Sequence, residues 1–229
     1  MTFMIEQLNQ LDQTLFLAIN GMHTDFSDLF MWCFSSKLIW IPFYATIVYV
    51  LFRNYSWKVA VATLLAVGLT ILMADQICSS LIRPAVERFR PSNLKSPIVD
   101  LVHIVHNYRG GAYGFPSCHA TNTFALATFL WMLFRNRTVT IGLFAWALLT
   151  VWSRVALGVH YPGDLLVGGL IGMLSAFFWV FVLKRAVGIL QLCSEPLPQD
   201  SRLKQGWTIS AMALILTIGM LIYALCLTL

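Results

Sequence analysis

The chain has 229 residues, of which 59% are hydrophobic and 11% charged, with a formal net charge of +5 and a mean hydropathy of +0.75. Ordinary soluble domains carry about 25% charged residues, and a single core of this size cannot hide so much apolar surface. A soluble enzyme, a soluble nucleic-acid binder, a disordered chain and a secreted disulfide scaffold are thereby excluded; the figures fit a polytopic membrane protein.

In chain order, residues 3–20 place Ile5, Leu8, Leu11, Leu15, Phe16 and Ile19 at mixed helical spacing, which predicts a short amphipathic helix on a membrane surface. Glu6 and Asp12, with no Lys or Arg before residue 13, argue against a signal peptide. Residues 29–52 read as one span that frays or breaks near Ser36, with Lys37 as an interfacial anchor. Residues 59–82 form a span with Asp75 as its single charge, and a hydrophilic loop follows at 83–115. Spans at 116–134, 138–155 and 165–183, a hydrophilic linker at 184–206 and a last span at 207–229 complete the chain. Each span is near the roughly 20 residues that a bilayer core of about 30 Å requires. The expectation is an all-α protein of six transmembrane helices with an N-terminal amphipathic helix, forming a single unit over 1–229 around a core at 59–183. Cys33, Cys78, Cys118, Cys193 and Cys226 are odd in number and scattered, which reads as neither a metal knuckle nor a disulfide framework.

The basic residues orient the chain. Arg53 and Lys58, then Arg135 and Arg137, then Lys184, Arg185, Arg202 and Lys204 fall on one side of six spans, and the positive-inside rule makes that side cytoplasmic. Both termini and the loop 83–115 then lie outside. That loop breaks the rule with Arg83, Arg88, Arg90, Lys95 and Arg109, and cations on the wrong side point to an anionic ligand.

Three clusters collect at the outer ends of the spans: Arg83 with Arg90-Pro91; Pro116-Ser117-Cys118-His119; and Ser153-Arg154 followed by His160 and Asp164. Arg83, Arg90 and Arg154 offer planar N–H forks that suit phosphate oxygens. Pro116 and Ser117 begin a span, where free backbone N–H groups bind anions, and His119 sits in the same first turn. His160 and Asp164, four apart, share one face of a helix, so the carboxylate can orient the imidazole. A neutral histidine so held is a fit nucleophile, a second histidine can protonate a leaving oxygen, and arginines stabilise the transferring phosphoryl group. The donor set resembles no metal cage.

These clusters resemble the three signatures of the type 2 phosphatidic acid phosphatase superfamily: Lys, six residues, Arg-Pro; Pro-Ser-Gly-His; and Ser-Arg, five residues, His, three residues, Asp. The spacing matches throughout, with Arg83 in place of Lys and Cys118 in place of Gly. The resemblance covers roughly residues 59–183. It implies that His160 attacks phosphorus to form a phosphohistidine, Asp164 orients it, His119 protonates the leaving group, and Arg83, Arg90, Arg154 and Ser117 hold the phosphate. It also implies metal independence and no cofactor.

Other residues take plainer readings. Arg88, Lys95 and Arg109 match no signature position and read as interfacial anchors; Glu87 reads as their salt-bridge partner. His103 and His106 form His-x-x-His, read as a surface turn before a metal site. Asp75, Gln76, Ser79, Ser80 and Arg83 form a polar stripe, read mainly as interhelical hydrogen bonding. Gly168-x-x-x-Gly172 is a close-packing signal, and nothing in the sequence sets an oligomeric state.

The resulting reading is a membrane lipid phosphatase of the bacterial inner membrane. It hydrolyses a phosphate monoester or pyrophosphate on an outer-leaflet head group, with the site facing the periplasm and no nucleic-acid partner. Undecaprenyl pyrophosphate and lipid A stay open as substrates, and Lys95, Arg109 and Tyr113 are the candidates for head-group selectivity. A phosphotransferase using the same site, and a catalytically silent transporter or scaffold, are the alternatives.

Overall fold

A computed structural model describes residues 2–189 and 205–229; most of the expected linker, with Cys193, Arg202 and Lys204, lies outside them. Among the described residues the long elements are all helical, and extended pairing is limited to one bridge between Phe89 and Tyr113. The amphipathic segment is a helix, α1 (Thr2–Asn20). It leaves Phe3, Ile5, Leu8, Leu11 and Leu15 exposed and seats Phe16 against Tyr161 at the other helices' ends.

The expected 29–52 span is two helices, α2 (Asp25–Phe34) and α3 (Ile41–Asn54), bent by 60°. The break is built rather than frayed. The Trp40 indole N–H donates to Phe34 O at 2.9 Å, satisfying a carbonyl that the helix end leaves free. Trp40 also meets Phe34, Phe43 and Trp146 edge-on. The helix begins earlier than the hydropathy indicates because Thr24 and Ser27 form a reciprocal capping box.

Next comes α4 (Trp57–Gln76), which widens into a π-turn at Ile77–Ile82 before the short α5 (Arg83–Val86). After the long loop, α6 (Cys118–Phe134) and α7 (Arg137–Ala156) form a tight hairpin in which the Asn136 side chain caps α7 by accepting from Val139 N at 3.1 Å. The last two helices are α8 (Pro162–Ile189) and α9 (Trp207–Thr228).

α6 is central, with α8 as its main partner and α4 and α7 beside it. A Cβ on Gly172 would lie 2.1 Å from Thr121 O, and one on Gly168 2.5 Å from Ser117 O. The small-residue pair therefore joins α8 to α6 within the chain, backbone against backbone.

Four helical stretches are long and apolar enough to cross a membrane: Trp57–Val86, Arg137–Ala156, Pro162–Gly188 and Trp207–Thr228; the bent α2/α3 pair makes a fifth if counted as one span. The six-span expectation also counts α6. Pro116 and Ser117 are not helical, as Ser117 is the extended N-cap, so α6 keeps 17 residues and a length of about 26 Å. The protein is a multi-pass, all-helical membrane protein.

Candidate active site

Arg83 stands where the π-turn of α4 ends, Ser117 and His119 at the start of α6, Arg154 in the last turn of α7, and Asp164 in the first turn of α8. The loop between α5 and α6 brings Arg90, and the α7–α8 junction brings His160. All seven predicted residues thus gather at one end of the bundle. The structure corrects one local detail: His160 and Asp164 do not share a helical turn, because α8 starts at Pro162 and His160 lies in the junction before it. Asp164 folds back instead. Its Oδ2 accepts the backbone N–H of Tyr161 at 3.0 Å and faces His160 Nδ1 at 3.3 Å.

His160 is 1% exposed and Asp164 fully buried. Arg90 Nη1 lies 2.8 Å from His160 Nε2. A guanidinium can only donate, so Nε2 is an acceptor and the ring proton sits on Nδ1, toward Asp164. The lone pair that accepts from Arg90 is thus the one directed into the cluster. Burial first, and then the charges of Arg90, Arg154 and Arg83, hold the imidazole well below the ordinary histidine value, so it is neutral at physiological pH.

Arg90 is anchored along its length. Nε donates to Tyr113 O at 3.2 Å and Nη1 to Val159 O at 3.1 Å, while its backbone N–H pairs with Ala112 O. Gly110, at φ +69°, turns the loop close over the guanidinium, and a Cβ there would sit 3.3 Å from it. Burial, with the neighbouring charges of Arg154 and Arg83, lowers Arg90 to about 10, which leaves it protonated at neutral pH. Arg154, 3% exposed, donates to Ser35 Oγ and lies over the Tyr108 ring. Arg83 donates to Pro116 O at 2.8 Å and to the Cys118 sulfur at 2.9 Å.

Three buried polar atoms of these residues have no protein partner: Arg83 Nε, Arg154 Nε and Ser117 Oγ. Buried polar groups are nearly always satisfied in native structures, and three of the eight exceptions among the described residues belong to groups the sequence assigns to phosphate. His119, in the first turn of α6, lies within electrostatic reach of Arg154, His160 and Arg90. It lines a cavity of about 540 Å³ that runs between α3, α4 and α6 past Tyr44, Val67 and Leu126. It also lines a second cavity of about 320 Å³, shared with Arg154, Tyr108 and Lys37. A lipid chain in the first cavity would bring its head group to His119.

Four residues at this end were not predicted as functional. Arg88, expected as an anchor, donates to Asp164 Oδ1 at 3.0 Å and pairs with Asp12 of α1 at 2.7 Å, its guanidinium lying 4.0 Å over the Tyr161 ring. Asp12 also accepts from Gly163 N at 2.7 Å. Ser35 and Lys37 reach the site because the α2/α3 break faces it. Of the remaining expectations, Arg109 clamps the loop by donating to Ser92 O at 2.6 Å. Glu87 lies beside Tyr113 and forms no arginine ion pair among the described residues. Lys95 lies over Phe89. Asp75 takes a hydrogen bond from Asn122 across α4 and α6 at 3.4 Å, the interhelical role expected of it.

The His-x-x-His pair separates. His106 meets Trp32 edge-on, while His103 pairs with Asp28 at 2.6 Å and stacks on His23. His23, Asp28 and His103 place one ligand atom each within 4.8 Å of one another, the group of described residues with metal-ligand potential. None of the three is among the phosphate-site residues.

Comparison with known proteins bears on this geometry. The chain is 44% identical to the lipid A 4'-phosphatase of Bacteroides thetaiotaomicron over 223 residues, covering 97% of this chain and 99% of that protein. It is 34% identical to the lipid A 4'-phosphatase of Porphyromonas gingivalis, over 76% of this chain and 73% of that one. The crystal structure of Aquifex aeolicus LpxE shares the fold, with a TM-score of 0.56 at 23% identity, over 75% of this chain and 95% of that one. The sequence pattern of the PAP2 superfamily matches residues 57–187, a range that holds all seven site residues. With the three clusters converging on one buried histidine, the chain belongs to the PAP2 superfamily and is a membrane lipid phosphatase of that type.

Proposed function

We propose that this phosphatase removes a phosphate monoester from the sugar head group of a lipid A-type glycolipid, at the outer face of a bacterial inner membrane, and that residues 1–229 act as one unit with six spans. The observation that carries the reading is His160, buried and neutral, with its proton toward Asp164 and its lone pair turned to a ring of arginines. The lipid A preference is supported by the two relatives aligned over most of their length. The orientation is supported by Arg53, Lys58, Arg135, Arg137, Lys184 and Arg185, all exposed at or beside the helix ends opposite the site.

In this mechanism Nε2 of His160 attacks phosphorus in line with the sugar oxygen. The phosphorus–oxygen bond breaks, and His119 gives its proton to the departing alkoxide. Asp164 stabilises the charge that the phosphorylated imidazole acquires. Water then attacks the phosphohistidine, with His119 now taking the proton, and inorganic phosphate leaves. Arg83, Arg90, Arg154, Ser117 Oγ and the N–H groups at the start of α6 hold the equatorial oxygens, whose charge is greatest in the transition state. Every step runs through the protein's own groups, so chelators leave turnover intact and vanadate, as a five-coordinate mimic on His160, inhibits.

The test is phosphate release by the purified protein from three substrates: lipid A, undecaprenyl pyrophosphate and phosphatidylglycerol phosphate. Preferential loss of one phosphate from lipid A, absent in His160→Ala, supports the reading; preference for the pyrophosphate overturns the substrate, and dependence on added metal overturns the mechanism. Single cysteines at 95 and 136 check the orientation: only the first labels from outside.

A further inference from the structure

Two cysteines far apart in sequence meet at the phosphate site. Cys78 lies buried in the π-turn of α4, and its sulfur is 2.9 Å from that of Cys118, the first residue of α6. A disulfide bond is about 2.05 Å long, so the sulfurs need to close by less than about 1 Å. Nη2 of Arg83 faces both, at 2.9 Å from Cys118 and 3.7 Å from Cys78. Cys118 is half-buried and lines the larger cavity beside His119, while Cys78 stands fully buried behind it. One thiol is reachable, the other is placed to resolve, and a cation sits beside them.

We propose that Cys78 and Cys118 form a dithiol that a disulfide-bearing oxidant converts to an intramolecular disulfide, and that this modification reversibly slows the phosphatase. The effect on turnover rests on the function proposed above. The Cys118 thiolate attacks one sulfur of the oxidant, forming a mixed disulfide and releasing one oxidant thiol. The Cys78 thiolate then attacks the Cys118 sulfur, forming the internal bond and releasing the second thiol. The two cysteines give up two electrons and two protons, and the oxidant's disulfide becomes two thiols. The bond ties the first turn of α6 to α4. It draws on Ser117 and His119, the neighbours of Cys118, and alters the Cys118 sulfur that accepts from Arg83 at 2.9 Å. A displacement of about 1 Å among positioned groups costs about 100-fold in rate, so a loss of 10- to 100-fold is expected.

The test uses the full-length protein in lipid nanodiscs, treated with glutathione disulfide and then with dithiothreitol. Differential alkylation with peptide mass spectrometry reads the bond, and phosphate release from lipid A reads turnover. The expected result is a linked Cys78–Cys118 peptide, turnover down at least 10-fold, and recovery of both on reduction. Cys78→Ser, with Cys78→Ala as a second variant, keeps turnover under reducing conditions and loses the response. The proposal is overturned if Cys33 or Cys226 reacts while no linked peptide forms, or if the linked protein keeps its turnover. Should neither state hydrolyse lipid phosphate, the proposed function fails, and the linked peptide's presence or absence still decides whether the dithiol closes.

Discussion

At one end of the bundle Arg53, Lys58, Arg135 and Lys184 stand exposed, and Lys58 and Arg185 rest over the rings of Trp57 and Phe181. At the other end Arg90 and Arg154 are buried, and Arg83 and Arg88 are partly so, each held by named acceptors. The residue types are nearly the same, but the surroundings differ. An exposed cation exchanges water for little and contributes mainly orientation. A buried one is stable only with partners in place, and three of these four lie against the histidine proposed as nucleophile, its carboxylate or the α6 start. Charge in a membrane protein is therefore read from burial and acceptors rather than from counts of Lys and Arg.

The sharpest contrast between the two ends is expected from His160→Ala. It removes the proposed nucleophile, and is expected to leave no phosphoenzyme and to lower turnover by about 10⁴-fold or more in a quench assay, whereas Arg135→Ala at the far end stays within about twofold. Arg154→Ala removes a donor aimed at developing charge and costs about 100- to 1,000-fold in kcat; it also weakens vanadate inhibition in proportion. A smaller loss with unchanged vanadate affinity would move Arg154 to the structural side of the comparison.

The pH profile sharpens it further. Because burial and its arginine neighbours keep His160 well below the ordinary value of about 6.5, the acid limb of kcat/KM that it sets lies below that value. Arg90→Gln withdraws a positive charge from Nε2, raises the imidazole's affinity for a proton and moves that limb to higher pH. The depressed proton affinity of native His160 also makes the fold acid-sensitive: the unfolded chain takes up the proton that native His160 refuses, so stability falls as pH drops below about 6.5.

The smallest expected effects come from the pair that links α1 to the site. Arg88→Ala and Asp12→Asn act through Asp164 and not on the substrate. Each is expected to lower kcat by about 10-fold with KM nearly unchanged, and the double variant to match the worse single one. Additive losses, or a KM effect in steady-state kinetics, would place Arg88 among the phosphate ligands.

What the sequence disclosed follows from what is local. The three clusters were legible because phosphoryl chemistry demands particular residue types, and each cluster is confined to a short stretch of sequence, within 83–91, 116–119 and 153–164. Helices α7, α8 and α9 lie where hydropathy puts them, since lipid selects apolar residues along a whole span. The bend between α2 and α3 was only half legible. Ser35 and Ser36 mark a weakness, but its 60° angle depends on the Trp40 indole reaching back to Phe34 O. Arg88 with Asp12, and Cys78 with Cys118, were illegible because each pair joins distant positions on elements whose packing alone brings them together. Lys37, read as an interfacial anchor, also lines the cavities beside His119, which belongs to another helix.

The π-turn at Ile77–Ile82 holds one residue more per turn than the helix it interrupts. Were the same residues wound as a continuous α-helix, everything beyond would be rotated by about 100°. Arg83 would swing away from Pro116 and Cys118, and the loop carrying Arg88 and Arg90 would leave from the wrong side. In genetic terms, the segment behaves as a one-residue insertion that the wide turn absorbs, so that three arginines keep their places through a feature that involves no charged residue.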